Sequence, residues 1–160
     1  MTPDDVQLVV VDPAEDDAVR CLRAYYAELD RRFETGYDPD AALPLPLEEM
    51  RPPHGRFLLA RRGGQPVGCG ALKLHGGEPA EIKRMWVAAE ARGLGLGRRL
   101  LGELERLAAE AGASAVQLET NRALPEAIAM YRTSGYDEVP AFNDEPYGHH
   151  WFRKRLGADA

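Results

Sequence analysis

The sequence holds two cysteines, Cys21 and Cys69, among 160 residues. So few suggest neither a disulfide framework nor a cysteine-built zinc cluster. Long apolar runs are missing too; the longest are strand-sized, well short of the roughly 20 residues of a membrane-crossing helix. There is no excess of positive charge. Twenty Lys and Arg against 26 Asp and Glu give a net charge of −6, which argues against a general nucleic-acid binder, since phosphate recognition needs a basic face. The first five residues read as neither an export signal nor an arginine-rich transit sequence, so cytoplasmic residence is expected. Neither repeats nor low-complexity segments occur. What remains is an ordinary globular composition, 44% apolar and 29% charged, at the length of one domain spanning residues 1–160.

Bulk acidity does not preclude a local basic site. Arg92, Arg98 and Arg99 fall close together, with Lys83 and Arg84 just upstream, so one anionic ligand is compatible with the charge balance.

Apolar runs over residues 6–11, 56–62, 67–74, 80–87 and 115–120 read as strands. In the fourth, alternation sets Glu81, Lys83, Met85 and Val87 on one side and Ile82, Arg84 and Trp86 on the other. Residues 14–32 carry a helical stripe of Val19, Leu22, Tyr26 and Leu29. The proline-rich stretch 35–54 predicts a loop with at most a short helix. Residues 63–66, Gly-Gly-Gln-Pro, form a hairpin signal. A second helix follows residues 93–97 and carries Leu100, Leu101, Leu104, Leu107, Ala108 and Ala111 on one face, with Gly112 as its stop. A third covers 124–134, with Pro125 near its start and Gly135 past its end. Two final strands, 136–142 and 149–156, flank a turn at 143–148. The order predicts a mixed α/β sheet with helices on its faces.

The most informative segment is Arg92-Gly93-Leu94-Gly95-Leu96-Gly97-Arg98, between a strand and a helix. Successive glycines allow backbone N–H groups to converge on one concavity. The helix that follows adds unpaired N–H groups and the positive end of its dipole. Together they suit a pyrophosphate, with Arg92 and Arg98 as supplementary charge. The dinucleotide fingerprint fails, because Arg98 and Leu100 stand where its third glycine belongs, and no Gly-Lys-Ser/Thr follows for a nucleotide-triphosphate loop. A turn whose glycines serve packing alone is the competing reading.

Arg92-x-x-Gly95-x-Gly97 resembles the R/Q-x-x-G-x-G/A signature of the GNAT superfamily of N-acetyltransferases. Residues 81–87, EIKRMWV, resemble that family's fourth strand, and residues 126–136, EAIAMYRTSGY, its AxxLYxxxGF helix. The resemblance runs from about residue 56 to 156. It implies an α/β fold with a mixed, mostly antiparallel central sheet of about seven strands and about four flanking helices. It also implies acetyl-CoA as cosubstrate without a metal, and acetyl transfer to a primary amine by direct attack in a ternary complex.

The resemblance implies that the strand before the glycine turn parts from its neighbour at a bulge, opening a slot, and by position it gives the main chain of Met85, Trp86 and Val87 to the pantetheine arm. The turn of Arg92, Gly93, Leu94, Gly95, Leu96, Gly97 and Arg98 goes to the pyrophosphate. It places Tyr131 as the general acid facing the thioester sulfur, and offers Glu81 or Glu119 as the base, acting directly or through water with a pKa raised by burial. Where many members carry asparagine, this chain has Leu124; Asn121 is the nearest substitute. The acceptor pocket is expected among Tyr25, Tyr26, Phe33, Tyr37, Phe142, Asn143, Tyr147 and His149. Adjacent His149 and His150 point opposite ways on a strand and suggest no metal site. Cys69 reads as core filler. The expected acceptor is a small amine or amino acid. Transfer to a protein or peptide, and a non-catalytic acyl-CoA-binding module, are the alternatives. The family allows pairing into a homodimer through an edge strand.

Overall fold

The computed structural model describes residues 5–157, so the leader reading of residues 1–4 lies outside it. Seven strands form one sheet: β1 (Val6–Val11), β2 (Gly55–Arg62), β3 (Gln65–Lys73), β4 (Ala80–Val87), β5 (Ala115–Thr120), β6 (Asp137–Val139) and β7 (His150–Arg155). Their order is β1-β2-β3-β4-β5-β7-β6. All neighbours are antiparallel except β4 and β5. Three α-helices flank the sheet: α1 (Asp16–Arg32), α2 (Leu96–Glu110) and α3 (Pro125–Thr133). The expected fourth is replaced by two short 3-10 turns, Leu47–Met50 and Ala89–Ala91. Among the described residues, no helix is long and apolar enough to cross a membrane.

Each face of the sheet has its own core. α2 buries Leu96, Leu100, Leu101, Leu104, Leu107 and Ala108, the i, i+4 stripe of a helix lying on a sheet, against Leu58, Leu72, Ile82, Val116 and Phe152. α1 covers the other face, packing Ala18, Cys21 and Leu22 on Phe57, Leu59, Cys69 and Ala71. Acidic Asp16 and Asp17 open α1 and basic Arg31 and Arg32 close it, which complements its dipole. Cys69 is fully buried; its hydrogen bond to Cys21 and its burial push the thiol well above its ordinary value, as suits core filler.

The feature that shapes the rest is a bulge in β4. Its ladder with β3 runs Lys73↔Glu81, Leu72↔Ile82 and Ala71↔Lys83, then resumes at Cys69↔Trp86. Arg84 and Met85 therefore oppose the single residue Gly70. Arg84 takes φ +57°, the one non-glycine positive φ among the described residues. The strict alternation expected for residues 80–87 breaks here. Met85 and Val87 pack on the α2 core beside Ile82, while Arg84 lies over the Tyr26 ring of α1. Past the bulge β4 has left β5: the two pair only at Ala80↔Val116 and Glu81↔Gln117.

Leu104 is fully buried and its Cδ1 lies 2.7 Å from where a Cβ on Gly70 would stand, so α2 and β3 meet without slack opposite the bulge. Leu104→Ala should lower unfolding free energy by about 2–5 kcal/mol, read as a reduced urea midpoint at unchanged slope.

Candidate active site

The divergence of β4 from β5 opens a slot of about 490 Å³ between β4, the glycine turn, α1 and α3. Met85, Trp86, Val87, Arg92, Gly93, Gly95, Leu96, Gly97 and Arg98 all line it. Leu94 alone of the expected set does not. Gly93 and Gly95 adopt φ +85° and +75°, left-handed values that side-chain-bearing residues avoid; no atom stands within 4 Å of a Cβ built on either. Gly97 is constrained differently, since its Cβ would come within 2.9 Å of Met130 Sδ on α3. Gly95 is also the N-cap of α2, with no side chain capping it, so the first-turn N–H groups are left to a ligand. This cradle fits a diphosphate.

The two arginines of the turn differ. Arg98 donates to the neutral hydroxyls of Thr133 (2.6 Å) and Ser134 (3.0 Å), and no carboxylate among the described residues pairs with it. Arg92 was expected to supplement the cradle, but its guanidinium is already paired. It donates to both oxygens of Glu28 (2.5 and 2.7 Å) and to the carbonyl of Val87 (3.0 Å). Glu28, its side chain 13% exposed, also accepts from the Trp86 indole (3.0 Å) and from Arg32 (3.2 Å). Arg32 in turn pairs with Glu126 on α3. A single half-buried carboxylate thus ties α1 to the end of β4 and, through Arg32, to α3. No sequence signal marks it, because its partners lie far along the chain.

A second, smaller cavity of about 100 Å³ adjoins the slot on the other side of the bulge. Tyr25, Leu29, Met85, Leu124, Ala127 and Tyr131 line both, so the two spaces meet there. Of the anticipated aromatic residues, Tyr25, Phe33, Tyr37 and Tyr147 line the small cavity. Phe142 instead lies under Arg153, and His149 accepts from the Arg122 backbone. The wall is closed by contacts between distant loops: Tyr37 and Tyr147 rings stand 4.7 Å apart, Asp38 N–H donates to Tyr147 Oη, and Leu43 N–H to Glu145. The proline-rich segment therefore shuts one side. Asn121 spends its amide inside the fold, donating to Tyr147 O and accepting from Ala123 N–H, and does not line the slot.

Tyr131 and Glu119 reach the small cavity together; Glu81 does not line it. Glu119 accepts from Lys83 Nζ (3.1 Å) and Asn143 (2.8 Å). Glu81 sits on the far side of Lys83, bonded to His75 (2.7 Å) and Lys83 (3.3 Å). Its pKa was expected to rise. Burial does push it up, but Lys83 and His75 outweigh that and leave it lowered. Tyr131 is 6% exposed; burial, then the Glu119 charge, raise its phenol well above the ordinary tyrosine value. It is a neutral donor at any working pH. His149 and His150 have separate partners, and the described residues contain no group of three or more His, Cys, Asp or Glu placed to hold a metal.

Burial alone would push Glu28 up, yet its Arg92 and Trp86 hydrogen bonds prevail and lower its pKa. Glu28→Gln should therefore cost about 1–3 kcal/mol at neutral pH. A depressed carboxylate contributes above its unfolded pKa and loses that contribution as pH falls through the folded one, so the gap between wild type and variant should close below about pH 4. Urea melts of both proteins across pH check this.

The model of the "Acetyltransferase (GNAT) family" matches residues 22–136. An IAA acetyltransferase from Azospirillum brasilense is 40% identical over 137 residues, 85% of this chain and 86% of that protein. The N-alpha-acetyltransferase RimI of Mycobacterium tuberculosis is 33% identical over 144 residues, 87% of this chain and 84% of its own. The solved structure of a GNAT family acetyltransferase from Elizabethkingia anophelis, with acetyl-CoA bound, has a TM-score of 0.66. It covers 96% of this chain and 99% of its own at 16% identity, a likeness of fold. With slot, cradle and neutral phenol in the family's order, the chain belongs to the GNAT acetyltransferases and is an acetyl-CoA-dependent N-acetyltransferase.

Proposed function

We propose that the enzyme acetylates the primary amine of a small molecule or amino acid by direct attack in a ternary complex. The observation that carries this is the junction of two unequal cavities at Tyr131: a long slot for the donor and a chamber of about 100 Å³ for the acceptor. That chamber is far smaller than ordinary ligand pockets of 300 Å³ or more (~300–1,000 Å³), and its loop-closed wall favours a small group over a threaded peptide. The likeness to RimI supports the second reading, transfer to a peptide's terminal amine. Mass spectrometry of peptides and free amines incubated side by side with enzyme and acetyl-CoA separates the two.

The donor supplies an activated acetyl group as a thioester; the chain supplies position and proton handling. Residues 93–98 hold the diphosphate by main-chain N–H groups, and the unpaired edge of β4 beyond the bulge offers its backbone to an extended amide-bearing arm. Glu119 is assigned as the base. Its oxygens accept from Lys83 and Asn143, and a carboxylate has lone pairs for a further donor, so it can take a proton from the incoming ammonium directly or through water. Glu81, cut off behind Lys83, acts on Glu119 only through that lysine. Tyr131 donates a hydrogen bond to the departing sulfur. With its pKa raised, it keeps its proton in the resting enzyme, and stabilises the thiolate as charge develops.

Tyr131→Phe should lower kcat by about 100-fold while KM for acetyl-CoA stays within about threefold, in a continuous assay of thiol release. Full activity in the phenylalanine variant would remove Tyr131 from the chemistry.

A further inference from the structure

The small cavity contains a cation that the fold leaves unanswered. Lys83 is neutralised by Glu119 and Glu81. The two carboxylates of the chamber are also occupied: Glu119 by Lys83 and Asn143, Glu145 by the backbone N–H groups of Leu43 and Tyr147. The Arg84 guanidinium has no hydrogen bond or ion pair among the described residues, and its Nε is buried without any partner. A buried guanidinium N–H left unpaired is costly, and here it sits on a residue held at φ +57°, a combination that folds retain where a ligand completes it.

The fold works to keep Arg84 there. The Cys69 thiol donates to its carbonyl at 3.3 Å, and its guanidinium carbon stands 5.6 Å over the Tyr26 ring, which fixes the head without quenching the charge. The field reaches the cavity's aromatic wall: burial pushes the Tyr37 phenol up to about 12, against an opposing pull from Arg84. Arg84 lines the same chamber as Glu119 and Tyr131.

We propose that Arg84 is the specificity residue for the acceptor and binds its carboxylate, so that the acceptors are amino acids or other amines bearing a carboxylate. This rests on the transferase reading above and narrows it. Guanidinium and carboxylate match as planar forks. The zwitterion's ammonium falls to Glu119 and its carboxylate to Arg84, so both charges of the substrate meet an opposite charge in one chamber. A dianionic phosphate fits less well, because Glu119 and Glu145 share the space with a single unneutralised cation.

The test is isothermal titration with matched pairs (glycine and glycinamide, leucine and leucinamide, phenylalanine and phenylalaninamide), with and without saturating coenzyme A. In at least one pair the acid should bind about 10- to 100-fold more tightly than its amide. Arg84→Gln should abolish that preference, and Arg84→Lys, which keeps the charge but loses the fork, should retain part of it. Thermal melts report whether each variant folds; if Arg84→Gln does not, wild type and Arg84→Lys still decide. Acids that bind no better than amides to wild type, or a preference that survives Arg84→Gln, overturn the assignment. Coenzyme A giving no heat while the acid preference stands would instead sink the acyl-donor reading and leave Arg84 where it is.

Discussion

After two residues of shared ladder, β4 and β5 part, and the site depends on that parting. Ala80 and Glu81 pair with Val116 and Gln117; then the extra residue at Arg84 and Met85 turns β4 away. A sheet continuous through this point would satisfy its own backbone and leave nothing to bind. The bulge instead leaves an unpaired strand edge facing the glycine turn, with the positive end of α2 at its far end. It also switches the side-chain register, so Met85 goes to the core under α2 and Arg84 goes to the small cavity.

Holding such a gap open requires ties across it. The Glu28 network supplies one from α1 to the end of β4 through Trp86 and Arg92, and to α3 through Arg32. A second runs between the loop after α1 and the loop before β7, through the Tyr37–Tyr147 contact and Glu145. Both sit at the rim of a cavity rather than in a core. Their side chains are polar or amphipathic (carboxylates, guanidinium groups, phenols and the Trp86 indole), since groups at a wet rim keep part of their hydration while still fixing geometry.

Much of this was legible in the sequence. The stripe from Leu96 to Ala108 dictates α2, and the turn of Gly93, Gly95 and Gly97 marks an anion cradle because its conformations and its close approach to Met130 exclude other residues. The bulge was legible only through the family resemblance: a left-handed Arg84 carries no glycine to announce it, and alternation reads straight through. Pairing between distant residues was hidden. Nothing in the chain reveals that Arg92, which lines the slot, is also held by Glu28, 64 positions earlier. That Lys83 stands between Glu81 and Glu119, and that only Glu119 of the two lines the small cavity, is a fact of three dimensions.

The central claim is that the amides of residues 93–98, exposed by the left-handed glycines, grip the diphosphate of an acyl donor. Titrating isotopically labelled protein with coenzyme A and following each backbone amide by nuclear magnetic resonance tests it directly. The account predicts the largest shifts at Gly95, Leu96, Gly97 and Arg98, with smaller ones along Met85 to Val87. Saturable binding that leaves those four amides unmoved would contradict it.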